Sequence, residues 1–301
     1  MALLSNLSKI EGGTYRYIPE GMVEVNLLGA LRMYDESPDP PRPESEYTHV
    51  SSLTKGACAR AMALQHKYGL SAPEPVPSGM RILWAIGRCV EHHIRTALIA
   101  AYPKQAYGLW VCGCGEGYKE PYQGVAEDAY TKTCPHCGKV KRHYRELTLF
   151  DDEFGIAGNP DLLLLTPDGM LVIEIKSANA KGFAKAKDRM ETTADYAGQV
   201  LMYRRILIRL GFKVCGETRV IYGRKEYMPF KQPYLEIPVM EEDFDYKAKL
   251  NMMEITAKSI NDMRKAGYSV TDRLPCCESN GDCKVAKACS ARAVCLSVGG
   301  S

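Results

Sequence analysis

The spacing of apolar positions changes period along the chain. Leu83, Ile86, Val90, Ile94 and Leu98 recur at intervals of three and four, the repeat of a helix through RILWAIGRCVEHHIRTALIAAY. From 156 the pattern becomes short continuous apolar runs. IAGNPDLLLL (156–165) and LVIEIK (171–176), separated by TPDGM, predict a two-stranded hairpin. Helical spacing returns over 194–210, a strand follows at 218–222, and a polar helix spans about 241–266. Upstream, SPDPPRPESE around Pro38–Pro43 reads as a linker, and residues 1–50 as an extended arm. Ser51 or Ser52 is placed to cap a helix running through CARAMALQHKYGL, and SAPEPVPSG (71–79) marks the next turn. There is no internal repeat. Helices mixed with strands predict an α/β core.

Length adds that 301 residues make two domains, or one large domain with an insertion. A hydrophobic share of 46% and a charged share of 25% exclude wholesale disorder. No window carries 18 consecutive apolar residues, so no membrane span is expected. MALLSNLSKIEGG lacks the charged and apolar regions of a secretory signal, and a cytoplasmic protein is expected. The net charge, 39 − 36 = +3, demands no nucleic-acid partner. Its distribution says more, because basic residues gather at 139–145, 181–189 and 204–209.

Twelve cysteines in a long chain without an export signal favour metal over disulfides, since most are clustered. Cys112 and Cys114 with Cys134 and Cys137, each pair beside glycine, have the form of a zinc ribbon. Cys89 and Cys215 lie in apolar runs and are expected to be core residues.

The hairpin holds the other candidate chemistry. Asp161 opens one strand, while Glu174 and Lys176 sit two apart on one face of the next. Two carboxylates brought together there suit a hard cation, Mg²⁺ or Mn²⁺, and the ammonium can orient water or offset developing charge. E-x-K alone is common, and an exposed Glu–Lys pair is the plain alternative. A charged pair inside so apolar a strand needs a reason, which favours catalysis.

NPD (159–161) followed by EIK (174–176) resembles the PD-(D/E)xK nuclease superfamily, and more narrowly its RecB/Cas4-like exonuclease branch. Gln199 and Tyr203 reproduce that branch's Q-x-x-x-Y motif. Glu91, four residues after Gly87, stands where the branch has a metal-contacting His, or Glu in phage-type relatives. His92 and His93 follow at once, but at about 100° per residue they cannot aim where Glu91 aims.

The resemblance implies a restriction-endonuclease-like fold, a central mixed sheet flanked by helices, with an inserted zinc ribbon and an Fe–S-tethered C-terminal subdomain. The divisions expected are 1–50 arm, 51–107 helical part, 108–145 zinc ribbon, 146–240 catalytic core and 241–301 C-terminal segment. It implies that Glu91, Asp161, Glu174 and the Ile175 carbonyl bind Mg²⁺ or Mn²⁺, that Lys176 positions water, and that Gln199 and Tyr203 orient metal or DNA. It also implies a [4Fe–4S] cluster on Cys58, Cys277, Cys283 and Cys289, with Cys276 and Cys295 as alternates. Position 280 departs from the family spacing, being Asn. Lys181, Lys185 and Arg204 are candidate phosphate contacts. The activity implied is exonucleolytic hydrolysis of linear DNA in recombination, repair or phage DNA processing. The alternatives are a Cas4-type nuclease trimming DNA for integration, a non-catalytic DNA-binding accessory protein, and an Fe–S redox protein.

Overall fold

The structure is a computed structural model that describes residues 7–9, 15–17, 47–54, 58–68, 78–114, 121–141, 143–226, 233–266, 289, 291, 293 and 295. The elements run β1 (Leu7–Lys9), β2 (Tyr15–Tyr17), β3 (Thr48–His49), α1 (Val50–Leu53), α2 (Ala59–Tyr68), α3 (Ser78–Ala101), β4 (Ala106–Val111), β5 (Tyr122–Val125), α4 (Ala126–Ala129) and β6 (His143–Arg145). They continue β7 (Leu149–Asp151), β8 (Ile156–Gly158), β9 (Leu162–Thr166), β10 (Gly169–Ala178), α5 (Ala180–Arg189), α6 (Ala194–Arg209), β11 (Glu217–Arg224), β12 (Tyr234–Met240) and α7 (Phe244–Lys265). Two units divide the chain, 1–41 with 74–81 and 42–73 with 82–301. In the smaller one β1 and β2 pair antiparallel, where the sequence predicts an extended arm. The Pro38–Pro43 linker lies outside the described residues.

The larger unit is built on a mixed sheet in the order β12-β11-β10-β9-β4-β5, with β6 also on β4. β9 and β10 form the predicted antiparallel hairpin, Leu162 opposite Ile173. β10 and β11 are parallel, Ile175 opposite Ile221, and such a pair needs a crossover, which α5 and α6 supply. A smaller sheet, β3-β8-β7, stands beside the Asp161 turn.

Strand alternation sorts the apolar residues onto two faces. Leu163, Val172 and Val220 pack with α6 and α7, while Leu162, Leu164, Ile173 and Ile175 pack with Ile94 and Ile99 of α3. The middle of α6 is buried without a break from Ala197 to Tyr203, although its periodicity suggests a one-sided helix. The sheet covers one side and α7 the other. Asn179, Thr193 and Asp243 cap α5, α6 and α7 through their side chains, each worth about 1 kcal/mol.

Two expectations are corrected, and one stretch is placed in more detail. Ser51 and Ser52 fall inside α1, whose N-cap is His49, and the next helix starts afresh at Ala59. Cys215 is buried as expected but Cys89 is exposed, because its face of α3 borders a groove with Tyr234 rather than the core. The cysteine-bearing stretch 108–145 is woven into the main sheet. β4 pairs with β9, β5 and β6, and the buried Trp110 donates from Nε1 to the Gly124 carbonyl at 2.9 Å. Among the described residues, no helix is long and apolar enough to cross a membrane.

Candidate active site and cysteine centre

The hairpin brings its charged residues to one end of the sheet. Asp161 sits in the turn entering β9, and its Oδ2 accepts the backbone N–H of Ile175 at 2.6 Å. That bond ties the first carboxylate to the strand carrying the second. Glu174 lies in β10 with 1% of its surface exposed, and its Oε1 pairs with Lys176 Nζ. Its other oxygen is buried without a hydrogen-bond partner among the described residues. Such an orphan costs about 1–3 kcal/mol, more for a charged group, and needs an explanation.

Helix packing supplies the third carboxylate. A Cβ on Gly87 would lie 2.8 Å from Ser177 Oγ, so a larger residue would crowd that hydroxyl where α3 meets β10. One turn later Glu91 is half-buried near Asp161. His92 is exposed, and His93 stacks on Tyr234 at 6.5 Å, as the helical rotation requires. On the opposite face, Gln199 Nε2 donates to Tyr203 OH at 2.8 Å. Tyr203 in turn fills the space beside Gly158, where a Cβ would lie 2.4 Å from its ring.

Two participants carry no sequence motif. Glu146, just after β6, pairs with Arg95 at 2.5 Å. Arg95 is one helical turn beyond Glu91, so spacing from Glu91 could have found it. Glu146 follows a basic run and precedes alternating Leu147 and Leu149, and nothing local marks it. Tyr196 is the other, with Lys176 Nζ 5.2 Å from its ring centre.

The electrostatics are those of crowded like charges. Burial, then the charge of Asp161, raises Glu91 and Glu146 above the usual carboxylate range. Burial raises Asp161 against the pull of Lys176. Glu174 is pushed well up by burial and Asp161. Lys176 is raised despite its burial, because Glu174, Asp161 and Glu91 favour its charged form. Tyr203 is raised by burial and Glu174. Four carboxylates against Lys176 and Arg95 leave −4 + 2 = −2 when all are ionised. An all-oxygen donor set, a charge deficit of two and a buried orphan oxygen fit a divalent hard cation.

The cysteine centre is tighter. Sγ of Cys112, Cys114, Cys134 and Cys137 all lie within 4.8 Å of one another, and among the described residues only these four meet that spacing. The acidic residues stand further apart, as Glu174 is drawn to Lys176. Cys112 and Cys137 approach to 3.3 Å, Cys114 and Cys134 to 3.6 Å. Burial pushes the Cys134 thiol up, but backbone N–H groups of His136 and Cys137 and the adjoining thiols outweigh it, leaving about 7. His136 is exposed. These four thiols can hold a metal ion.

Of the cysteines expected at an iron–sulfur cluster, Cys276, Cys277 and Cys283 lie outside the described residues. Cys58 and Cys289 both pack against a small cluster of Ala61, Leu64, Ala291 and Cys295. The start of α2 and the described C-terminal residues therefore meet there, and the alternate Cys295 is buried in the same place.

The basic residues divide. Lys181 and Lys185 are exposed on α5. Arg204, the third candidate phosphate contact, is held within the fold. Its Nε donates to the Cys215 carbonyl and its Nη1 pairs with Glu241 at 2.9 Å. Arg205 pairs with Glu241 and Glu254, and Arg209 with Glu254 and Asp151. The run from 204 to 209 therefore ties α6 to its neighbours.

No protein-family model and no curated protein matches the sequence. Among solved structures the chain is similar to an alkaline exonuclease (LHK-Exo) from Laribacter hongkongensis, with 12% identity and a TM-score of 0.42, covering 75% of this chain and 96% of that one.

Proposed function

We propose that the protein is a divalent-metal-dependent DNA nuclease, acting as an exonuclease of the RecB/Cas4-like kind on linear DNA. The single observation that carries this is the buried Glu174. A carboxylate at 1% exposure, with one oxygen unpartnered, is held beside Asp161 and Lys176 on the hairpin where the PD-(D/E)xK resemblance expects them. Glu91, Asp161, Glu174 and the Ile175 carbonyl would hold Mg²⁺ or Mn²⁺, which when bound polarises a phosphoryl oxygen and lowers the pKa of water. Asp161 is fixed by the Ile175 N–H, so its free oxygen is aimed. Lys176 stays cationic, held by Glu174, and its ammonium orients the attacking water and faces the charge that develops on phosphorus. Tyr203 stays protonated, and with Gln199 it offers a fixed hydrogen-bonding edge to the substrate backbone. In the same reading the four-cysteine centre holds Zn²⁺ as a structural ion, and Cys58 with the C-terminal cysteines holds a [4Fe–4S] cluster.

The test is hydrolysis of end-labelled linear and of circular DNA with Mn²⁺, using wild type and Lys176→Ala. Linear DNA is degraded by wild type, circles survive, and the variant loses at least about 10³-fold, as removal of a fixed electrostatic group does. Degraded circles would remove the exonuclease assignment, and an unimpaired variant would remove the site.

A further inference from the structure

The cysteine centre is open on one side. A groove of about 600 Å³ runs over it, lined among others by Cys112, Cys114, Cys137, Lys139 and His143. Its four thiols divide by exposure. Cys137 is exposed and Cys114 half-buried, whereas Cys112 and Cys134 are buried. The two short approaches pair across that division, Cys137 with Cys112 at 3.3 Å and Cys114 with Cys134 at 3.6 Å. Each pair therefore joins a thiol that solvent reaches to one that it does not. Each also joins the stretch after β4 to the turn before β6. Two backbone bonds hold that turn: Cys134 N–H donates to the Lys139 carbonyl at 2.8 Å, and Gly138 N–H to the Cys134 carbonyl at 2.9 Å.

Such an arrangement suits stepwise oxidation, in which an accessible sulfur meets the oxidant and a sheltered neighbour resolves it. The paired sulfurs need close by only roughly 1.5 Å to reach bonding distance. We propose that the centre is a site of reversible oxidation by a peroxide, forming Cys112–Cys137 and Cys114–Cys134 disulfides. In the first step the Cys137 sulfur attacks the peroxide. An S–O bond forms, the O–O bond breaks, and the leaving hydroxide takes the thiol proton to become water. The Cys112 sulfur then attacks the sulfenic sulfur, an S–S bond forms, and the hydroxyl leaves with the Cys112 proton as a second water. Two thiols give two electrons to one peroxide, and Cys114 with Cys134 consume another in the same way. A dithiol reductant reverses both links. Thiols so joined no longer bind a metal ion, yet the links span the same two stretches. The end of β4 is therefore tethered to the turn before β6 in either state. The inference is independent of the nuclease reading, and it shares with the metal reading only the closeness of the four thiols.

The test is peptide mapping of the full-length wild type, purified under reducing conditions and with its metal content measured. It is treated with hydrogen peroxide, its remaining thiols are alkylated, and it is digested with trypsin. Cleavage separates Cys112 and Cys114, on 105–119, from Cys134 and Cys137, on 133–139. The two peptides are expected joined, lighter by four hydrogens, and parted by reductant. Two double variants then assign partners. Cys114→Ser/Cys134→Ser, which keeps the 3.3 Å pair, should link at least about tenfold faster than Cys114→Ser/Cys137→Ser, which keeps Cys112 and Cys134. Oxidised, metal-free wild type should melt roughly 5–15 °C above the reduced, metal-free protein, because the links close a loop that is open in the reduced chain. Thiols that survive peroxide, or end as sulfinic acids without joined peptides, would overturn the proposal. Links formed only within each peptide, or to cysteines elsewhere, would do the same, whatever metal is found. Joined peptides in a protein that carries no metal would leave the proposal standing and remove the metal reading.

Discussion

The carboxylate centre and the cysteine centre both gather four like groups, yet they do so by opposite means. The thiols sit on two tight turns, after β4 and between Cys134 and Cys137, and come within 4.8 Å of one another. Backbone N–H groups help to draw Cys134 down to about 7, so thiolate character is available at neutral pH. The carboxylates come from α3, the stretch after β6, the Asp161 turn and β10, and each is raised by burial and its neighbours. One centre is preformed from two short stretches of sequence beside β4. The other is assembled from distant segments and stores unfavourable charge in the core. Raised, crowded carboxylates in the core are the pattern that marks a candidate functional site.

The comparison breaks first at the cysteines. If the four thiols hold a metal ion, removing it with a chelator, or replacing Cys134 by Ser, should lower Tm by roughly 5–15 °C, since an ion there would clip the end of β4 to the turn before β6. Elemental analysis showing no bound metal, with melting unchanged, would make these four thiols ordinary neighbours.

A smaller effect separates the two centres by pH. For Glu91, Glu146, Asp161 and Glu174 the native state binds protons more tightly than the unfolded chain. Stability in metal-free solution should therefore fall as pH rises from about 5 to 8, by at most about 1.4 kcal/mol for each pH unit and net proton. Glu174→Gln should flatten that slope, and Mn²⁺ should stabilise the wild type more at the upper end. A metal-free protein whose stability rises over that interval would contradict the crowded-charge description.

Much of this was legible in the sequence, for reasons that differ by residue. Asp161, Glu174 and Lys176 were visible because a charged pair interrupts an apolar strand at period two. The grouping of Cys112, Cys114, Cys134 and Cys137 was visible because the four sit close in sequence. Glu146 was not, because its role depends on β6 pairing with β4 and on Arg95 reaching it from α3. The pairing of Arg204 with Glu241 was not visible, because charge runs carry no record of the acid that meets them. Cys89 looked like core because an apolar run does not say which face another element covers. Pairwise long-range contacts are the part a local pattern does not encode.

The most direct measurement is a calorimetric titration with Mn²⁺ of the full-length wild type, Glu174→Gln and Cys134→Ser, in buffers of different ionisation enthalpy. The account predicts that wild type binds Mn²⁺ with proton release, as raised carboxylates must ionise to bind a cation. Glu174→Gln should lose at least about tenfold in affinity and release fewer protons, while folded Cys134→Ser binds like wild type. Equal binding by Glu174→Gln, or loss confined to Cys134→Ser, would contradict a hard-metal site at the hairpin.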